Sequence, residues 1–212
     1  MNADTLPIPM RARRSVSAKY RRRSLRSTLR FTRDAASNDP RTSRQLVSAS
    51  TVASEINSSR SVTAGSININ GGNLTIASDD DNDSNAAGVT AGALTANRVN
   101  ISAGSDANDD ISLTGDVASS TSITIENASK VDLGENVDLT AGNGALGIDN
   151  NVGSINLSGA DGSTNILTAN GEGDISLASL TDDNNPNLTV TAEGNITLAG
   201  ASLGTGTHSF TV

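Results

Sequence analysis

From about residue 65 to the C-terminus the chain alternates one aliphatic residue with one small polar residue, in short phrases that break and resume. "SINI" starts at residue 66, "LTI" at 74, "VNIS" at 99, "ISL" at 111, "ITI" at 123, and "VDL" at both 131 and 137. "LGI" at 146, "INL" at 155, "ISL" at 175, "LTV" at 188, "ITL" at 196 and "FTV" at 210 continue the series. A period of two is the signature of strands buried on one face. Gly, Asn, Asp or Ser bounds every phrase, and these residues tolerate or create tight turns. The pattern predicts short strands throughout this region.

Spacing turns the strands into a repeat. The leading apolar residues Ile67, Val89, Ile111, Val131, Ile155, Ile175 and Ile196 lie 20 to 24 residues apart. A second series, Leu74, Val99, Ile123, Leu146, Ile166, Leu188 and Phe210, advances by 20 to 25. Two interleaved series with one period near 22 residues imply a unit of at least two strands and two turns. "GSINLSG" at 153–159, "GDISLAS" at 173–179 and "GNITLAG" at 194–200 read as one wall of successive coils, with Ile155 and Leu157 pointing in and Asn156 pointing out.

The expected fold is all-β: a right-handed parallel β-solenoid of about seven coils over residues 61–212, behind a basic, disordered segment over residues 1–60. At about 3.3 Å per residue one coil traces roughly 70 Å, and seven coils spaced by about 4.8 Å stack to roughly 34 Å. Each buried aliphatic contributes about 1.5–3 kcal/mol, so no coil is stable alone and stability is a sum over neighbours. An immunoglobulin- or cadherin-like β-sandwich is the competing arrangement. Such domains usually carry a core Trp or a tyrosine corner, and the recurring phrase favours coils.

Composition agrees with a thin tube. Aromatics make up 1% of the chain, Trp is absent, and Tyr20, Phe31 and Phe210 lie near the ends. A core must therefore be built from Ile, Leu, Val and Ala. Cysteine is absent, which excludes disulfides, thiolate metal sites and cysteine catalysis.

Charge divides the chain in two. Residues 1–44 carry twelve Lys or Arg against three Asp, about +9, whereas the remainder carries Arg60, Arg98 and Lys130 against twenty acids, about −17. Ten basic residues and no acidic one lie between Arg11 and Arg33. Such a cluster can bind nucleic acid by releasing counterions. No aromatic ladder, zinc spacing or helix-turn-helix accompanies it, so a solvated tail is expected and a nucleic-acid partner is not. No apolar run reaches the roughly 7–15 residues of a signal peptide or the roughly 20 of a membrane-spanning helix. Neither a readable signal peptide nor a transmembrane segment is expected. The chain stops inside a strand-like phrase, which suggests a piece of a longer repeat protein or one that pairs at its end.

Candidate chemistry is sparse. β-Solenoid enzymes that cut acidic polysaccharides use clustered Asp, or Lys and Arg; the basic candidates here are Arg60, Arg98 and Lys130, and the acidic ones are scattered in turns. Sugar subsites normally also use aromatic platforms, and none lies between residues 32 and 209. His208, the only histidine, reads as a turn or surface residue. Calcium is the one metal to consider: Asp79, Asp81 and Asp83 alternate in "SDDDNDSN" as an EF-hand loop begins. The continuation departs from that pattern, with Ser84 where the turn wants Gly and Thr90 where a bidentate Glu would close the shell. The acids of "SDANDD" and "TDDNNPN" are further weak calcium candidates. Thr-x-Thr columns of the kind found on ice-binding faces are not sustained, "TVT" at 189 standing alone.

The phrase Gly-polar-Ile-polar-Leu-small, with its "LTAG" and "LTAN" turns, resembles the repeats of filamentous haemagglutinin-like bacterial exoproteins and related β-strand-repeat surface proteins. The likeness covers residues 62–212 and is one of repeat style, without that family's N-terminal capping and secretion domain. It implies a non-enzymatic, secreted or cell-surface structural or adhesive protein, part of a larger adhesin. Its implied partners are cell-surface or extracellular matrix polymers, or other repeat chains. A polysaccharide-processing β-helix enzyme is the alternative.

Overall fold

A computed structural model describes residues 54–58, 60–78, 87–104, 106 and 108–212, together with the backbone of two strands, Leu29–Phe31 and Ser48–Ser50. The basic stretch 11–33, apart from Leu29–Phe31, lies outside the described residues, as do Asp79, Asp81 and Asp83. Among the described residues every element is a β-strand and every strand pairing is parallel. A sandwich of the immunoglobulin kind is built from antiparallel strands, so the chain is a parallel β-solenoid.

Each coil crosses three faces. The first holds Val62–Ala64, Val89–Ala91, Asp110–Leu113, Ala128–Leu133, Val152–Leu157, Leu180–Asp182 and Ala201–Ser202. Seven strands on this face are joined by six full turns, in keeping with the solenoid of about seven coils expected from the sequence. The second face holds Ile67–Asn70, Asp138–Ala141, Thr164–Ala169, Asn187–Ala192 and His208–Thr211; the third holds Asn73–Ala77, Leu146–Ile148, Ile175–Leu177 and Ile196–Leu198. Two long strands, Leu94–Ser102 and Val117–Glu126, turn the corner and serve both of these faces. Strand pairing also extends upstream of residue 61: Ser54–Asn57 pairs with Asn73–Ala77 and with Leu29–Phe31, and Ser48–Ser50 pairs with Ile67–Asn70.

Like stacks on like inside the tube. The first face lines up Val62, Val89, Ile111, Val131, Ile155 and Leu180. The second lines up Ile67, Leu94, Val117, Leu139, Leu167 and Val190, and the third Leu74, Val99, Ile123, Leu146, Ile175 and Ile196. All but Ile196 are buried. Beside these run a column of large residues on the third face, Ile76, Ile101, Ile125, Ile148, Leu177 and Leu198, and a column of small ones on the second, Ala96, Ser119, Ala141, Ala169 and Ala192. Large and small columns side by side fill a narrow interior with aliphatic side chains. At the corner Ser119 Oγ lies 2.8 Å from the Asn97 carbonyl and 2.9 Å from that of Ser122, so the one hydroxyl in this column is paired.

Coil length is uneven, and this changes the stacking read from the sequence. Leu139 stacks on Leu167 and Leu146 on Ile175, and both steps are longer than any in the two series read from the sequence. A spacing near 20 at that point lands one face short. Ile155 therefore stacks on Leu180 rather than on Ile175, and "GSINLSG" lies on the first face while "GDISLAS" and "GNITLAG" stack on each other on the third. Ile166, read as an inward residue of the second series, points outward and is 37% exposed; Leu167 takes the core position. Likewise Ile67 belongs to the second face and pairs with Leu94, so Val89 stacks on Val62 instead.

Candidate functional site

Outward side chains form ladders of one residue per coil, and the ladders are where this fold can carry chemistry. On the first face one ladder runs Thr63, Thr90, Ser112, Asp132, Asn156, Thr181 and Ser202. At its middle Asn156 Nδ2 donates to Asp132 Oδ1 at 3.0 Å and to Asp183 Oδ2 at 2.8 Å. Lys130 Nζ sits 2.9 Å from Asp132 Oδ2, and Lys130 pairs in register with Asp110. The hydrogen bond to Asp132, with the charges of Asp132, Asp110 and Asp183, holds the Lys130 ammonium above its ordinary pKa despite partial desolvation. Asn156 points outward as expected, yet it is buried by this network. The cluster sets one cation, Lys130, against three carboxylates, and that cation is already paired with Asp132.

The other basic and acidic candidates are dispersed. Arg98 lies on the third face, in register between Asn73 and Ser122, while Lys130 is on the first. His208 is not in a turn. It occupies an inward position of the last strand on the second face, stacked on Leu188, with its side chain 14% exposed and Nε2 3.9 Å from Asp182 Oδ2. Among the described residues no three His, Cys, Asp or Glu side chains are grouped so as to hold a metal ion.

The acids of the turns have a different task, which alternation along strands gives no signal for. Asp109 is fully buried, and its two carboxylate oxygens accept from the Ala87 and Asp106 amides, each at 2.8 Å. One coil apart, Asp116 accepts from the Asp138 amide at 3.0 Å, Asp174 from Asn195 at 2.7 Å, Asp182 from Gly204 at 2.8 Å, and Glu193 from Gly171 at 2.7 Å. Asn136, Asn185 and Asn187 do the same with uncharged oxygens toward Thr164, Thr205 and Thr207. Corner amides have no ladder partner, and a carboxylate or side-chain amide oxygen from the neighbouring coil satisfies them. Asp109 of "SDANDD" and Asp182 of "TDDNNPN" are in this way coil-to-coil staples. Asp138 is crowded: partial burial, then the neighbouring Asp116 charge, raise its pKa. Asp109→Ala strands two amides in the interior and is expected to cost about 2–4 kcal/mol, read as a lower urea midpoint.

The second face differs from the other two. Its outer ladder reads Asn68, Thr95, Ala118, Thr140, Thr168, Thr191 and Thr211. Threonine holds four consecutive coils, so the "TVT" at 189, which stands alone in the sequence, is one rung of a continuous column in the fold. The steps from Thr140 to Thr168, to Thr191 and to Thr211 grow shorter along the chain, and this unevenness conceals the column from any fixed period. The third face has no such run, because Gly147 interrupts its ladder between Thr124 and Ser176.

No protein family, no curated protein and no solved structure matches the chain.

Proposed function

We propose that this chain is a non-enzymatic structural or adhesive β-solenoid displayed on a cell surface or secreted, in the manner of filamentous haemagglutinin-like exoproteins, and that it acts by presenting its outer faces to surface or matrix polymers or to other repeat chains. The observation that carries the reading is the commitment of the charged groups. Asp109, Asp116, Asp174, Asp182 and Glu193 are spent on amides of neighbouring coils, Lys130 is paired with Asp132, and Arg98, Lys130 and His208 lie on three different faces. A polysaccharide lyase or hydrolase brings an acid and a base to one reacting bond, and these residues are not so arranged.

Protease shaving of intact producing cells tests the display: peptides from residues 61–212 should be released without lysis, and their appearance only after lysis would count against it. Cleavage of pectin- or alginate-like polymers, lost in Lys130→Ala or Arg98→Ala, would instead establish the enzyme.

A further inference from the structure

The threonine column of the second face belongs to a grid. Thr164, Ile166 and Thr168 point outward from one strand, Asn187, Thr189 and Thr191 from the next, and Thr207, Ser209 and Thr211 align with them on the last coil. Thr140 adds a fourth rung to one column. Parallel strands repeat at about 4.8 Å along the tube, and alternate residues of a strand at roughly 6.6 Å across it. One feature sets this grid apart from the rest of the surface. It contains no charged side chain, although residues 45–212 carry twenty acids against three bases; Asp138, in the column of Ile166, Thr189 and Ser209, marks its border. Within the grid the hydroxyls of one column, Thr140, Thr168, Thr191 and Thr211, make no hydrogen bond to the described residues, whereas in the neighbouring columns Ser209 Oγ donates to Thr189 Oγ1 and Asn187 Nδ2 to Thr164 Oγ1.

We propose that the outer side of the second face, from Thr140 to Thr211, is an ice-binding surface. Threonine offers a methyl and a hydroxyl on a side chain whose β-branching restricts χ1, so the grid is pre-ordered and little entropy is lost on binding. Methyl groups and the exposed Ile166 constrain the water above them into cages. Free hydroxyls at fixed spacing anchor that water at repeats close to the oxygen repeats on faces of hexagonal ice. A charged side chain would hold its own hydration shell out of step with the lattice, which is why the absence of charge here and the acids elsewhere point to this occupant. The first face, with Asp132 and Lys130 in its middle, and the third, broken at Gly147, do not qualify. This inference is independent of the adhesive reading.

The test uses the full chain in a nanolitre osmometer. Wild-type protein should shape ice into faceted crystals and open a gap between melting and freezing points. Thr168→Tyr with Thr191→Tyr should reduce the gap at least fivefold with an unchanged circular dichroism spectrum, while Thr124→Tyr on the third face should leave it intact. Asp138→Thr, which extends the second column by one rung, should widen the gap, and it decides the matter if the double variant does not fold. Round, unshaped crystals with wild-type protein would overturn the proposal, as would a gap that ignores both changes to the second face. Binding to crystalline polysaccharide without any effect on ice would overturn it equally and identify a different solid.

Discussion

Leu167→Ala is expected to destabilise the solenoid by about 3 kcal/mol, whereas Ile166→Ala, one residue earlier, should cost less than about 1 kcal/mol. Leu167 is fully buried between Leu139 and Val190, so its loss leaves a cavity that rigid neighbouring coils cannot close. Ile166 is 37% exposed and loses little contact. The pair is informative because the two residues have opposite roles in the two available readings of the strand, and a one-residue slip sends every side chain to the other face. Urea titration followed by circular dichroism, with unchanged slope, gives both values. A larger cost at Ile166 would mean that the strand is turned over.

Gly173→Ala should cost about 2–3 kcal/mol, while Gly65→Ala should be neutral or stabilise by up to about 1 kcal/mol. A Cβ at Gly173 would overlap the carbonyl oxygen of Gly144 one coil below and lie 2.9 Å from that of Asn170. These are backbone atoms of the coil stack and cannot step aside. Gly65 has nothing within 4 Å of the same position, so alanine there only restricts the unfolded chain. The comparison explains the glycine that opens the phrases: at Gly153, too, a Cβ would overlap a backbone oxygen of the previous coil, that of Ser129. The glycine marks a close approach of two coils, on whichever face that approach falls.

The fold class was legible because its physics is local. Alternation such as that of Val131, Asp132 and Leu133 needs only a strand with one side in the core, and the series Val89, Ile111, Val131 and Ile155 is a true column. What failed was phase. One face occupies roughly a third of a coil, so the long step from Leu146 to Ile175 moves the pattern by about one face relative to the mean period. "GSINLSG" and "GDISLAS" look equivalent because both must satisfy the same strand chemistry, which any of the three faces imposes. The threonine column and the acid staples were hidden for the same reason: each joins residues one coil apart, and coil length varies with turns whose sequences carry no periodicity. Positive φ at Asn127, Asn136, Asn151 and Asn185 shows how the turns absorb that variation, since asparagine enters the left-handed region more readily than most side chains.

The stacking of coils is the premise beneath the ladders, the staples and the grid, and the absence of cysteine makes it directly testable. Asn156 and Thr181 are register partners on adjacent strands of the first face, whereas Ser176, which holds the matching place in the similar phrase, lies on the third. Adjacent parallel strands bring Cα atoms to about 4.8 Å, within the range a disulfide spans. The double variant Asn156→Cys with Thr181→Cys should therefore oxidise to an intramolecular disulfide, and Asn156→Cys with Ser176→Cys should remain reduced under the same conditions. A disulfide in the 156/176 pair and none in the 156/181 pair would contradict the three-faced solenoid described here.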